Sequence, residues 1–374
     1  MTAWAINIDR DDVTKTELVT ADTSVAHGEI LVQVDSYAMT ANNVTYAVFG
    51  KPSGLFGNDA NGQGQGYWDF FAESNEPGRL PVWGFATVLV SDIEGVAPGD
   101  SFYGYYPMAS HAVLVPGNIN GGGFSDVTPR RTTLPPIYNQ YQRIEALGDY
   151  RAEHHEYWPV FRPLFLTGWL IADQFEDDGY YGASQVLIAS ASSKTAIGLG
   201  YSMKQRNGGP KTIGLTSAAN ADGLAALGIY HRVVAYDDIA TLIDPDQPSA
   251  FVDMAGNNAV TSAVHHHLGE QLNYSMIVGK SHWDSAPEMG AQNALLPGPD
   301  RQGFFAPARS QKRLADWGGK GFATRIASAW LGFMEVAPDI AVIDKRSGGD
   351  AALDAYHEVL DGRADPKVGI VITP

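Results

Sequence analysis

The chain has 374 residues, 44% of them hydrophobic and 18% charged, with a formal net charge of −17 and no cysteine. That length and composition suit a globular protein of two domains and exclude disorder as the main state. The scattered acidic excess argues against nucleic acid or an anionic membrane surface as partner, because phosphate binding needs a basic face. The missing cysteine removes disulfides, thiolate nucleophiles and cysteine-ligated zinc together.

In chain order, Met1-Thr2-Ala3-Trp4-Ala5-Ile6 turns charged at Asp9-Arg10-Asp11-Asp12, so no signal peptide is expected and cytoplasmic is the default compartment. No apolar run of about 18 residues predicts a spanning helix. The first third reads as β. Glu29 to Tyr37 alternates apolar and polar residues, the period of a half-buried strand. Gly84–Ser91, Ser101–Tyr105 and Ala112–Pro116 are further strands, with a turn at Pro98-Gly99-Asp100. Short strands between Gly and Pro turns predict a compact barrel. Lys51 to Arg79, rich in Gly, Asn and aromatics, reads as a long excursion of the kind that often carries function.

The middle changes character. Pro163–Ala172 predicts a helix. Gln185–Ala189 is an apolar run that fits a strand buried on both faces. Strands then alternate with helices: Lys211–Thr216, Arg232–Tyr236, Ser249–Met254 and Tyr274–Gly279 as strands, with helices at 195–203, 221–227 and 258–267. That alternation means βαβ units and a parallel sheet. A helix near Thr324–Phe333 and a last strand at Gly369–Ile372 complete the reading.

The segment from Ile188 to Ala196 follows a buried strand and opens a helix. A helix start offers unpaired N–H groups and a positive dipole end, which suits a pyrophosphate. Ser190, Ser192, Ser193 and Thr195 can donate hydroxyls, and Lys194 adds charge. The segment is neither Gly-x-Gly-x-x-Gly nor a P-loop. Two readings stay open: a modified dinucleotide loop, or an ordinary strand-to-helix turn with a serine cap. The next strand ends in Thr216-Ser217-Ala218-Ala219-Asn220. With no acid there for a ribose hydroxyl, Ser217 and Asn220 favour NADPH over NADH.

The order of these segments resembles the medium-chain dehydrogenase/reductase superfamily, most of all its zinc-free quinone-oxidoreductase branch. The residues that carry the resemblance are Gly28–Val34, Asn42-Asn43-Val44-Thr45-Tyr46 to Gly50, Gly84 with Pro98–Gly104, Thr167-Gly168, Ala225–Gly228 and Val278-Gly279. The pieces Asn42–Tyr46, Trp83–Ala86, Ser192–Ala196 and Phe304–Pro307 are similar to the DUF2855 family. The superfamily's Ala-x-Gly-Gly-Val-Gly loop is replaced here by Ser190–Thr195. The resemblance implies an α/β fold: a GroES-like β-barrel catalytic domain over 1–160 and 300–374, and a Rossmann-type parallel-sheet nucleotide-binding domain over 161–299. It also implies NADP(H) as cofactor, with Thr167, Val278 and Gly279 at its site. Many relatives are dimers, so a homodimer is the expected assembly.

No metal is expected. His265-His266-His267 reads as a surface helix face, since adjacent helical residues point in different directions. In a zinc-free reductase the nicotinamide carries the hydride, and the protein supplies orientation and a proton. Tyr46 is the first candidate proton donor, with Asn42, Asn43 and Tyr138 as polar companions. Tyr67, Trp68, Trp83 and Tyr141 are candidates to line a planar, aromatic substrate site. Each of these aromatics also has a structural reading, as a core residue whose polar atom has found a partner. Arg130-Arg131 reads as a carboxylate or phosphate binder, or as a solvated turn. The reaction expected is hydride reduction of a carbonyl-activated alkene, quinone or aromatic carbonyl. A non-redox lyase or isomerase, and a non-enzymatic NADPH sensor, are the alternatives.

Overall fold

The computed structural model describes residues 2–51, 65–73, 75–279 and 296–374. Residues 52–64 and 74 of the predicted excursion lie outside the described residues. The chain forms two compact units, Met1–Val160 with Ala341–Pro374, and Phe161–Ile340.

In the first unit one strand organises the rest. β3 (Ile30–Met39) pairs antiparallel with β4 (Pro81–Val90), β6 (His111–Leu114) and β17 (Val368–Thr373). The sequence pattern predicts a half-buried strand. Three neighbours bury nearly all of it instead, leaving only Gln33 exposed. β4 pairs with β5 (Ser101–Pro107), and the sheet continues through β9 (Gln140–Arg143), β8 (Gly123–Asp126) and β7 (Pro116–Asn120). On the other side β17 pairs parallel with β16 (Val342–Ser347). β1 (Trp4–Ile8) and β2 (Thr16–Thr20) form a separate antiparallel pair. The helix α1 (Ala41–Val48) follows β3 directly.

The second unit holds a six-stranded parallel sheet. Its strands are β10 (Gln185–Ala189), β11 (Lys211–Thr216), β12 (Arg232–Ala235), β13 (Ser249–Asp253), β14 (Leu272–Ile277) and β15 (Arg301–Gly303). They lie in the order β12-β11-β10-β13-β14-β15. Counted from β10 this is 3-2-1-4-5-6, the doubly wound order. β10 and β13 are buried at every residue, as central strands covered on both faces must be. The chain reverses direction across the sheet between them. Their carboxyl ends therefore mark the topological switch point, where such sheets take their ligands.

Two helices set the angle of the first turn after β10. Gly168 of α2 (Tyr157–Asp177) packs on α3 (Lys194–Lys204) so closely that a Cβ there would stand 2.5 Å from the Leu199 nitrogen and 2.7 Å from the Thr195 oxygen. Only a glycine permits that approach.

Residues 300–340, read from sequence as part of the first domain, lie in the second unit. β15 pairs with β14. The helix Ala306–Met334, broken at Gly318 with φ of 67°, is tied to α2 by charge. Arg309 Nη2 lies 2.6 Å and Arg313 Nε 2.7 Å from the buried Asp173 carboxylate. Arg309 and Arg313 also reach Asp177, at 3.0 Å each. Burial works against ionised Asp177, but hydrogen bonds from Arg313, Arg309 and Lys312 outweigh it and hold its carboxyl at about 2.

Asp173→Ala leaves two arginines without their shared anion, and should destabilise the protein by about 3–5 kcal/mol in urea unfolding. Asp177 has its pKa depressed in the folded state, so its contribution is full above the ordinary carboxylate range near ~4. It is lost as pH falls towards 2. The stability gap between the wild type and Asp177→Asn should therefore close across that window, as followed by thermal melts.

Candidate functional site

At the switch point, β10 runs into Ser190-Ala191-Ser192-Ser193 and then α3. Ser190 takes a left-handed φ of 52°, a conformation that costs a non-glycine residue about 1 kcal/mol. Its N–H donates to the Tyr236 hydroxyl at 3.1 Å. The Ala191 N–H donates to the Leu215 carbonyl at 3.0 Å, and the Tyr230 hydroxyl donates to the Ala191 carbonyl at 2.8 Å. Ser193 caps α3, its hydroxyl accepting from the Ala196 N–H at 3.3 Å. Among the described residues the backbone N–H groups of Ser192 and Thr195 meet no acceptor. Ser192, Ser193, Lys194 and Thr195 are all half-buried. The loop is thus both a serine-capped helix start and a shaped donor site.

The neighbouring strand ends gather around it. The Thr216 hydroxyl reaches that of Ser192 at 3.5 Å. Ser217 is exposed at the start of the following helix, Ala218–Ala226, and its carbonyl accepts from the Asn220 N–H. The Val278 N–H donates to the Asp253 carbonyl, which sets Val278-Gly279 beside the end of β13. Asp253 is fully buried. It accepts from the Ala255 and Gly256 N–H groups and from Thr261, and pairs with Arg301 at 2.6 Å. This pair fixes the backbone on the far side of the switch point. Thr167 stands apart from the other predicted cofactor residues. Its hydroxyl donates to the Pro163 carbonyl one turn back in α2, so its neighbour Gly168 is what shapes the site.

The histidine run departs from its surface reading. His265 is fully buried between the Pro297 carbonyl and the Ser275 hydroxyl, and burial lowers its pKa. Only His266 is exposed. Among the described residues no group of three or more His, Asp or Glu side chains is gathered as a metal site. No helix among them is long and apolar enough to cross a membrane.

In the first unit Tyr46, Tyr67, Trp83 and Tyr138 converge. Tyr46 and Tyr67 rings lie 4.4 Å apart, Tyr67 and Tyr138 6.0 Å, and Trp83 and Tyr138 6.0 Å. The Tyr46 hydroxyl accepts from Asn42 Nδ2 at 2.6 Å and from Trp83 Nε1 at 3.3 Å. Two N–H donors meet that oxygen, and the Tyr105 hydroxyl interacts with it as well. Burial pushes the Tyr46 pKa well above the ordinary tyrosine range, so it is a phenol, never a phenolate, under working conditions. Trp83 keeps partial exposure and stacks on Tyr103 at 5.6 Å.

Other predicted site residues serve the fold. Asn43 Oδ1 accepts from the Thr40 N–H at 2.8 Å and its Nδ2 donates to the Pro81 carbonyl at 3.2 Å. Its amide is engaged at both ends, as the N3 partner of Thr40 in the capping box of α1. Tyr141 is buried; its hydroxyl donates to the Tyr105 carbonyl and accepts from Arg131, and its ring stacks on Phe124. Arg131 is neither a phosphate binder nor solvated. It sits 1% exposed, bonded to Asp126, Asn139, Tyr141 and the Tyr138 carbonyl. Trp68 is fully buried, its ring against Gly50 and Gly78. The sequence reading passes over Tyr230, Tyr236, Asp253 and Arg301, because partners tens of residues apart leave no local signature.

No curated protein sequence matches the chain. Solved structures do match its fold. CurA from Vibrio vulnificus in complex with NADPH gives a TM-score of 0.61 at 15% identity, over 99% of this chain and 99% of that one. The yhdH oxidoreductase from Salmonella enterica in complex with NADP gives 0.55 at 13% identity, over 100% of each chain. The CurK enoyl reductase gives 0.55 at 12% identity, over 100% and 99%. The likeness is one of fold, over nearly the whole of each chain. The family described as protein of unknown function, DUF2855, matches residues 37–365, and the chain belongs to it.

Proposed function

We propose that this protein is an NADP(H)-dependent, zinc-free oxidoreductase acting on a small planar substrate with a conjugated carbonyl. The observation that carries the reading is the switch point of the 3-2-1-4-5-6 sheet, where the Ser192 and Thr195 N–H groups meet no acceptor among the described residues. Oriented amides at a helix start suit a diphosphate. Lys194 adds positive charge, and the acid-free end of β11, with Ser217 exposed, suits a 2′-phosphate. CurA and the yhdH oxidoreductase, crystallised with NADPH and NADP, support the same cofactor.

Bound there, the nicotinamide would supply a hydride to a carbon conjugated with the carbonyl. The chain's own part is orientation and a hydrogen bond. Trp83, Tyr67 and Tyr138 offer faces for a flat ligand. The Tyr46 hydroxyl, held by Asn42 and Trp83, donates its hydrogen to the substrate oxygen. That hydrogen bond polarises the carbonyl for hydride addition at its conjugated carbon, and a proton from water completes the reduction, so that Tyr46 ends the cycle as the phenol it began. Aromatic walls around a phenol donor favour enones, quinones and aromatic carbonyls over charged substrates.

Fluorescence titration should show NADPH binding more tightly than NADH. Lys194→Ala should weaken NADPH at least about tenfold, the worth of one charge-assisted phosphate contact. Ser217→Asp should weaken NADPH and leave NADH nearly unchanged, because the new carboxylate repels a 2′-phosphate. Failure of the wild type to bind either nucleotide at millimolar concentration overturns the reading.

With a panel of enones and quinones, Tyr46→Phe should lower kcat by about 10²–10⁴-fold and leave NADPH affinity unchanged, followed by loss of NADPH absorbance. Since Tyr46 stays protonated, the wild-type kcat should show no ionisation of this group between about pH 6 and 9. NADPH binding with no turnover of any carbonyl would favour a non-redox enzyme or a sensor.

A further inference from the structure

A loop that brings its backbone against a diphosphate ordinarily uses glycine where the chain turns left-handed, since glycine adopts positive φ without steric cost. Here Ser190 makes that turn, at φ of 52°. Two tyrosine hydroxyls from the far end of the unit hold the peptide on either side of it. Tyr236, just after β12, accepts from the Ser190 N–H at 3.1 Å. Tyr230, just before β12, donates to the Ala191 carbonyl at 2.8 Å. The room for Tyr230 is built in. A Cβ on Gly200 of α3 would stand 2.6 Å from its ring, and one on Gly214 of β11 would stand 3.0 Å from it. Tyr230 is buried, and burial keeps its hydroxyl protonated and therefore a donor.

We propose that Tyr236 and Tyr230 are positioning residues for the cofactor's diphosphate, a brace that holds a glycine-free loop in the shape glycine would otherwise give it. The inference rests on the nucleotide-binding reading above. The brace directs the Ser190 and Ala191 N–H groups into the protein, at Tyr236 and Leu215, and leaves the Ser192 and Thr195 N–H groups to face the ligand. Removing the Tyr236 oxygen leaves the Ser190 N–H without its acceptor and the left-handed turn without its offset. Replacing Ser190 by glycine removes the strain that the brace opposes.

The test compares Tyr236→Phe, Ser190→Gly and the double variant by NADPH titration, with amide hydrogen exchange of the loop measured in the absence of nucleotide. Tyr236→Phe should raise the Kd for NADPH about three- to tenfold, in line with one lost hydrogen bond, with the thermal midpoint reported alongside. Ser190→Gly, which also removes a candidate hydroxyl donor, sets its own reference Kd; Tyr236→Phe made in that background should raise Kd by no more than about twofold, because glycine makes the turn without the brace. A merely structural tyrosine would lose as much affinity with glycine in the turn after β10 as without it. The Ala191 and Ser193 amides should exchange faster in Tyr236→Phe. If the wild type binds NADPH while Tyr236→Phe changes neither Kd nor exchange, or costs as much affinity in the Ser190→Gly background as in the wild type, the brace is overturned and the cofactor reading stands. If the wild type binds no nucleotide, the cofactor reading falls. Faster exchange in Tyr236→Phe then upholds the brace as a loop-ordering device, and unchanged exchange overturns it too.

Discussion

A phenol hydroxyl taken out of water has to be given a partner, because an unsatisfied buried polar group costs about 1–3 kcal/mol. With 17 tyrosines in 374 residues, this chain meets that requirement again and again, and its loops take their shape from the way it does so. Tyr141 joins β9 to the Tyr105 carbonyl of β5 and gives Arg131 one of its acceptors. Tyr106 reaches back to the Phe102 carbonyl along its own strand. Tyr230 and Tyr236 hold the turn after β10. Tyr46 differs in sense: its oxygen receives two N–H donors, from Asn42 and Trp83. The same functional group is thus a rivet in several places and, in the reaction proposed above, a reagent in one. Not every phenol is met: the Tyr37 hydroxyl, for one, has no hydrogen-bond partner among the described residues.

The buried charges follow the same logic. Asp173 and Asp253 lie 4% and 0% exposed. Each is surrounded by donors: two arginines for Asp173, and two amides, a threonine and an arginine for Asp253. Breaking such a pair is costly, although forming it yields little net stability. Their value here is placement. Asp173 fastens the long helix Ala306–Met334 to α2, and Asp253 fastens the short β15 to the switch point.

How much of this was legible in the sequence depended on whether the signal was local. The central strand Gln185–Ala189 and its parallel companions read clearly, because burial on both faces leaves uninterrupted apolar runs. The resemblance in segment order carried the two-unit architecture. β7, Pro116-Gly117-Asn118-Ile119-Asn120, could not be read, since proline, glycine and asparagine signal turns and only its pairing with β8 makes it a strand. The first half of the helix Ala306–Met334 was lost behind Gly318-Gly319 and Gly321, and its stability comes from Arg309 and Arg313 rather than from an apolar stripe. At the site, Tyr46 and Trp83 were singled out and do meet. Asn43 and Tyr141 were chosen for residue type, which cannot show whether a polar group is already engaged.

β17, the strand Val368–Thr373, lies against β3, which ends at Met39. More than three hundred residues of chain separate the two. On the ribosome the Tyr37–Met39 end of β3 therefore waits for its partner long after β6 has covered Ile30–Gln33, and every strand of the parallel sheet is made in the meantime. The second unit can close while the first is still incomplete, so the order of maturation runs opposite to the order of synthesis. Pairings at such sequence separation form slowly. An open edge held for that long invites association with other chains, so the three residues Ile370–Ile372 bear on the yield of native protein far beyond their share of its mass.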